Sequence, residues 1–177
     1  MSIDPKTADP LPPTLPPNQR VLDVKIDGVT VKQTALIGDS RGVILEVADS
    51  RDEFWSEPIT YMYLGTCRPG KAKGWGYHRS HADRYTVIDG EMLLVLFDDR
   101  DDSPTKGVVQ EYYLTREGRN QVIIPPGVWH AHQNLGQTDL VFLNSPTDVF
   151  HHENPDKLRL PLDTDQIPYT FRRELGW

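Results

Sequence analysis

Cysteine is all but absent from this 177-residue chain: Cys67 is the only one, so no disulfide can form within it and stability must come from packing. Long apolar runs are missing too. None approaches the ~20 residues of a membrane-spanning helix, and the N-terminus lacks the charged start and apolar core of an export signal. Basic charge is in deficit, with 19 Lys and Arg against 26 Asp and Glu, and a formal charge of −7 works against broad binding to nucleic acid. An anionic small molecule is not excluded, because a few local Arg and Lys residues can hold a diphosphate. These absences predict a cytoplasmic protein that binds neither nucleic acid nor membrane.

Helical periodicity is a further absence. What the chain has instead is a series of short β-rich runs, "VLDVKI", "GVILEVA", "ITYMYLGT", "RYTVI", "EMLLVLF", "VVQEYYL", "NQVIIP" and "DLVFLN", most of them bounded by Gly, Asp, Asn or Pro. The "DG" at 89–90 reads as a tight hairpin turn between two of these runs. Only "NPDKLRL", 154–160, has the cap and first-position proline of a short helical turn. Residues 1–20 are too rich in proline for a helix or a central strand and read as an extended arm. Residues 21–177 then form a single domain. Many short strands with regular turns predict an all-β fold, a jelly-roll β-barrel whose interior can hold a ligand.

Chemistry concentrates in two segments. Residues two apart on a strand share a face, so His81 pairs with Asp83, and His130 with His132 in "GVWHAHQN". His78 has the opposite parity and joins them only if the chain bends near Arg79 and Ser80. Such a cluster suits either a metal cage or an acid/base pocket, and it is costly as a sealed core, since buried polar groups without partners destabilise by roughly 1–3 kcal/mol each. His151 and His152 read as solvent-facing.

The motifs "GDSRGVILEV", "KGWGYH", "GEMLLVLFDDRDDSPTKG", "IIPPGVWHAH" and "LDTDQIPY" resemble, in order and spacing, those of the dTDP-4-keto-6-deoxyhexose 3,5-epimerase family of the cupin superfamily. The resemblance spans about residues 37–170. It implies a cupin-type jelly roll, a homodimer, no metal and no cofactor, and an isomerase or epimerase acting on a nucleotide-linked 4-keto-6-deoxy sugar. It also implies roles: Arg41 and Glu46 at the nucleotide, Lys73 on phosphate, Trp75 as an aromatic face, and Asp163 as the carboxylate that orients a catalytic histidine. The same alignment puts Gly76 at the family's catalytic histidine, so that role passes to His78, with His81, Asp83 and His130 around it. The family's enolate-stabilising lysine and its acidic tyrosine have no counterparts; Asp83 or Arg84, and Asn144, stand nearby. Two alternatives stay open, a metal-dependent cupin enzyme and a cupin that binds a sugar or nucleotide without catalysis.

Overall fold

The computed structural model of the protein describes residues 25–171. The proline-rich arm and most of "VLDVKI" lie outside them. Among the described residues the chain forms β1 (Thr30–Gln33), β2 (Leu36–Asp39), β3 (Gly42–Leu45), β4 (Tyr63–Cys67), β5 (Ala72–Tyr77) and β6 (Asp83–Asp89). It continues with β7 (Glu91–Asp98), β8 (Val109–Thr115), β9 (Asn120–Ile124), β10 (Val128–Asn134), β11 (Leu140–Asn144) and β12 (Leu158–Arg159). No helix among them is long and apolar enough to cross a membrane.

One five-stranded sheet runs β1-β9-β6-β11-β4, a second runs β12-β5-β10-β7-β8, and β2 and β3 form a separate ribbon. The two larger sheets enclose a core of Tyr85, Val87, Val122, Ile124 and Phe142 from the first against Met92, Leu94, Leu96, Tyr112 and Leu114 from the second. This is the expected jelly roll.

Strand β7 is apolar at every position from Met92 to Phe97, where alternation with polar residues would mark a half-exposed strand. Both of its faces are covered. Met92, Leu94 and Leu96 point into the barrel, while Leu93, Val95 and Phe97 pack outward with Trp75 and Ala131 under Leu160, Leu162, Ile167, Tyr169 and Phe171. The C-terminal segment is therefore a strap over the second sheet.

Two sequence-based expectations need correction. The "DG" turn is tight, with Gly90 at φ 86°, yet its flanking strands do not form a hairpin: β6 belongs to the first sheet and β7 to the second. Strand β6 already has β9 and β11 on its two edges, and the turn passes so near Leu140 that a β-carbon on Gly90 would lie 2.9 Å from its Cα. Gly90 makes a corner between sheets. The helical turn at 154–160 is also absent. Leu158 and Arg159 instead pair with the edge of β5, and Trp75 and Leu160 exchange backbone hydrogen bonds of 3.0 and 3.1 Å. A free sheet edge satisfies more backbone groups than one isolated helical turn. The only helical turn described is a 3₁₀ turn at Glu53–Trp55, capped by the Asp52 carboxylate, which accepts from Phe54 N–H at 2.9 Å.

Candidate active site

The bend required to bring His78 inward is present, and Asp156 makes it. Its carboxylate accepts the backbone N–H groups of Arg79 and Ser80 and the Ser80 hydroxyl at 2.9–3.1 Å, so residues after β5 turn around it before β6 begins at Asp83. His78 Nδ1 lies 2.5 Å from the Asp156 carbonyl oxygen, and its Nε2 is 3.4 Å from Asp83 Oδ2. Across the barrel mouth His130, on β10, brings its Nε2 to 3.4 Å from the same oxygen. Its Nδ1 faces the Val128 carbonyl at 3.3 Å. The two imidazoles are stacked, 5.5 Å apart and tilted by 20°.

Asn144, at the end of β11, fixes the carboxylate from behind. Its amide donates to Asp83 Oδ1 and to the Tyr63 hydroxyl, both at 2.8 Å, while its oxygen accepts Arg84 N–H at 3.1 Å. Asp83 Oδ2 is sealed from solvent and makes no hydrogen bond of normal geometry, although two ring nitrogens face it. Burial works against its charge, yet the contact with His78, the fields of His130 and His78 and the Asn144 amide together hold it below the usual carboxylate range. For His130 burial prevails over the neighbouring Asp83, and its pKa falls to about 4. At neutral pH the carboxylate is therefore charged and the His130 ring neutral. Burial lifts the Tyr63 hydroxyl to about 12 and Tyr85 well above 10, so each stays a neutral phenol.

His130 and Tyr85 line a cleft of about 430 Å³ together with His132, Gly76, Trp75, Lys73, Lys157 and Arg159. Gly76 pairs with His130 across β5 and β10, and a β-carbon there would come within 3.0 Å of His130 Nε2 and 3.3 Å of Lys157 Cε. A side chain at 76 would occupy the space His130 and Lys157 use, which is why a glycine suits this cleft where the family alignment expects histidine. Burial lowers the pKa of the Lys157 ammonium, against the pull of Asp83.

The other expected site residues divide. Lys73 lines the cleft, its ammonium donating to the Thr66 carbonyl at 2.7 Å. Trp75 borders it but is fully buried, with Tyr169 and Phe171 against its ring at 6.1 and 5.7 Å, so its aromatic faces serve packing. His81 is not partnered with Asp83 as strand parity suggests, because it precedes β6; its ring lies 4.0 Å from that of His78 and its Nδ1 3.2 Å from Asp156. Arg84 turns away, donating to the carbonyls of Ser145, Glu57 and Pro58. Arg41 is exposed on the β2–β3 ribbon and pairs with Asp39, and Glu46 borders a separate groove with Lys32 and Asp52. Asp163 is exposed in a turn near the C-terminus, without a hydrogen bond or ion pair to the histidine cluster. His151 and His152 are exposed, as expected.

Sequence reading missed Asp156, Lys157 and Arg159. All three fall in the stretch read as a helical turn, whose pairing with β5 no local pattern signals. Asn144 carries no sequence signal beyond its place near the position of the family's tyrosine.

A sequence profile described as dTDP-4-dehydrorhamnose 3,5-epimerase matches residues 23–168. The spore coat polysaccharide biosynthesis protein SpsL of Bacillus subtilis (strain 168) is 32% identical over 149 residues, 84% of this chain and 98% of that protein. The probable low-salt glycan biosynthesis epimerase Agl13 of Haloferax volcanii is 30% identical over 152 residues, 85% of this chain and 97% of that protein. Among solved structures, a dTDP sugar isomerase from Desulfovibrio desulfuricans G20 superposes with a TM-score of 0.78 at 24% identity, covering 85% of this chain and 94% of its own. The motifs, the jelly roll and these relatives agree: the chain belongs to the dTDP-4-dehydrorhamnose 3,5-epimerase family, a family of nucleotide-sugar epimerases.

Proposed function

We propose that the cleft takes a dTDP-linked 4-keto-6-deoxy sugar and moves a proton on and off the carbon beside its ketone. The observation that carries this reading is the Asp83 carboxylate held between two imidazoles beside a cleft with a cationic mouth. A ketone acidifies the neighbouring C–H. A base removes that proton, the electron pair passes to the ketone oxygen as an enolate, and return of a proton to the opposite face gives the epimer. His78 is the candidate base and His130 the group opposite it, each with its Nε2 facing Asp83. Lys157, half-buried beside Gly76, is positioned to stabilise enolate charge in place of the family's lysine. Lys73 and Arg159 supply the cations that a diphosphate requires.

The reading extends to a homodimer. Ile37, Val43 and Ile44 stand exposed on the β2–β3 ribbon, as does Leu64 on the edge strand β4, an apolar surface that a second copy would cover. Arg41 and Glu46, carried on or beside that ribbon, would then reach the nucleotide from across the interface. A reducing, cytoplasmic setting fits the single free and buried Cys67.

Solvent-deuterium exchange tests the reaction. Incubated with dTDP-4-keto-6-deoxyglucose in deuterium oxide, the protein should label the carbon next to the ketone, and the product's NMR couplings report which centre inverts. His78→Ala should abolish labelling and leave dTDP affinity within about two-fold. A protein that binds dTDP and never exchanges deuterium would sink the catalytic reading in favour of a binding cupin.

A further inference from the structure

We propose that His78, Asp83 and His130 hold one divalent transition-metal ion, with the substrate ketone as its ligand from the cleft. A backbone carbonyl only accepts hydrogen bonds, and the Nδ1 atoms of His78 and His130 both face one, at 2.5 and 3.3 Å. In the neutral form of either ring this places the proton on Nδ1 and leaves a lone pair at Nε2. Both Nε2 atoms face Asp83 Oδ2, 3.4 Å away in each case, an oxygen that is buried and makes no hydrogen bond of normal geometry. Asp83 itself is 2% exposed. Its other oxygen is already taken by the Asn144 amide. Three ligand atoms thus converge, all within 4.8 Å of one another.

As a purely protein arrangement this is unfavourable, because a buried charged acceptor without a well-aligned donor loses its solvation uncompensated. A cation resolves it. The geometry fits: two ligands at about 2.1 Å from a tetrahedral ion are separated by roughly 3.4 Å. Two imidazoles and one carboxylate favour zinc, iron(II), manganese or nickel over calcium or magnesium. The surroundings fit as well, since carbonyls holding both Nδ1–H groups and an amide holding the carboxylate are the outer contacts that orient metal ligands. The second possible trio, His78, His81 and Asp156, lacks this character, because the Asp156 carboxylate already accepts three N–H and O–H donors from Arg79 and Ser80.

The site is reached through His130, which also lines the cleft. An ion there would occupy the two imidazole lone pairs, polarise the ketone and stabilise the enolate oxygen. With both imidazoles engaged by the ion, Lys157 in the cleft wall would take the proton in place of His78. The ketone as ligand rests on the function proposed above; ion binding does not.

Asp83→Asn separates the alternatives without unfolding the site. The amide oxygen can still accept from Asn144, while its NH₂ donates to the bare Nε2 atoms. Calorimetry with zinc and manganese on chelator-stripped full-length protein, with metal counted by mass spectrometry after dialysis, should give one equivalent per chain for the wild type. His151→Ala should bind equally, and Asp83→Asn should lose more than the about 10–100-fold that loss of an outer contact costs. The stripped Asp83→Asn protein should melt no lower than stripped wild type. Clearly substoichiometric metal in the wild type, or equal binding by Asp83→Asn, overturns the metal site. Deuterium exchange then tests its use: exchange lost on stripping and restored by one metal supports the ketone as ligand, whereas full exchange by metal-free protein overturns that role. Stoichiometric metal with no exchange under any condition would refute the keto-sugar reading and leave the ion site standing.

Discussion

Asn144 is the residue whose replacement should reveal how the candidate site is held together. Its side chain makes three hydrogen bonds, donating to Asp83 Oδ1 and the Tyr63 hydroxyl and accepting Arg84 N–H. Asn144→Ala leaves a buried carboxylate oxygen and a buried N–H unpaired, at about 1–3 kcal/mol each, so a loss of about 4 kcal/mol is expected. Asn144→Asp keeps the acceptor for Arg84 but turns a second carboxylate toward Asp83, at the 2.8 Å the amide now spans. Two carboxylates so close cannot both ionise, and one retains a proton in the folded state. The folded pKa of the pair is then raised above the unfolded value, the native state binds more protons, and stability falls as pH rises. The slope should approach about 1.4 kcal/mol per pH unit until the raised pKa is passed. Urea unfolding followed by tryptophan fluorescence at pH 5, 6, 7 and 8, in chelator and at one protein concentration, measures both effects. Asn144→Asp should be the milder variant at pH 5 and lose about 2.7 kcal/mol more by pH 7. A cost below about 1 kcal/mol for Asn144→Ala, or a pH-independent offset for Asn144→Asp, would refute the clamp.

Three other outcomes are expected. Burial, together with His130, Lys73 and Lys157, holds the His132 pKa near 3, and its Nε2 is buried without a partner. Wild-type stability should therefore fall as pH drops below about 6.5, where the unfolded chain takes up the proton first, and His132→Leu should flatten that fall by one proton, about 1.4 kcal/mol per pH unit, in acid-range urea titrations. Lys73→Ala and Arg159→Ala should each weaken dTDP binding by roughly ten-fold or more in calorimetry, on the scale of a lost charge-assisted hydrogen bond; unchanged affinity in both would remove the cleft mouth from the diphosphate. Light scattering at micromolar concentration should report about twice the 20.2 kDa chain mass. Ile44→Glu should shift it toward the monomer, and an unaltered mass would take the β2–β3 ribbon out of the interface.

Much of the fold could be read from the chain because its information is local. Seven of the β-rich runs become strands β3, β4, β6, β7, β8, β9 and β11, since β-branched and aromatic residues between turn formers have few other ways to bury their faces. Strand β12 escaped notice because two residues in a proline-flanked stretch carry no periodicity, and only the free edge of β5 makes them a strand. The hairpin expected at Gly90 fails for a related reason. A turn's own residues determine its tightness, while the partners of the strands it joins are fixed by the whole sheet.

The site divides along the same line. Sequence alone determined the jelly roll, the family and the crowding of His78, His81, Asp83 and His130 into two segments, because composition, alternation and motif order are properties of neighbouring residues. Tertiary structure decided that Asp83 sits between His78 and His130, that Asn144 clamps it, and that Lys157 and Arg159 enter a cleft kept open by Gly76. It also left Asp163 outside the cluster and turned Arg84 away. These contacts link residues such as Asp83 and Asn144, 61 positions apart, and the distance between such groups is set by how the sheets close on one another.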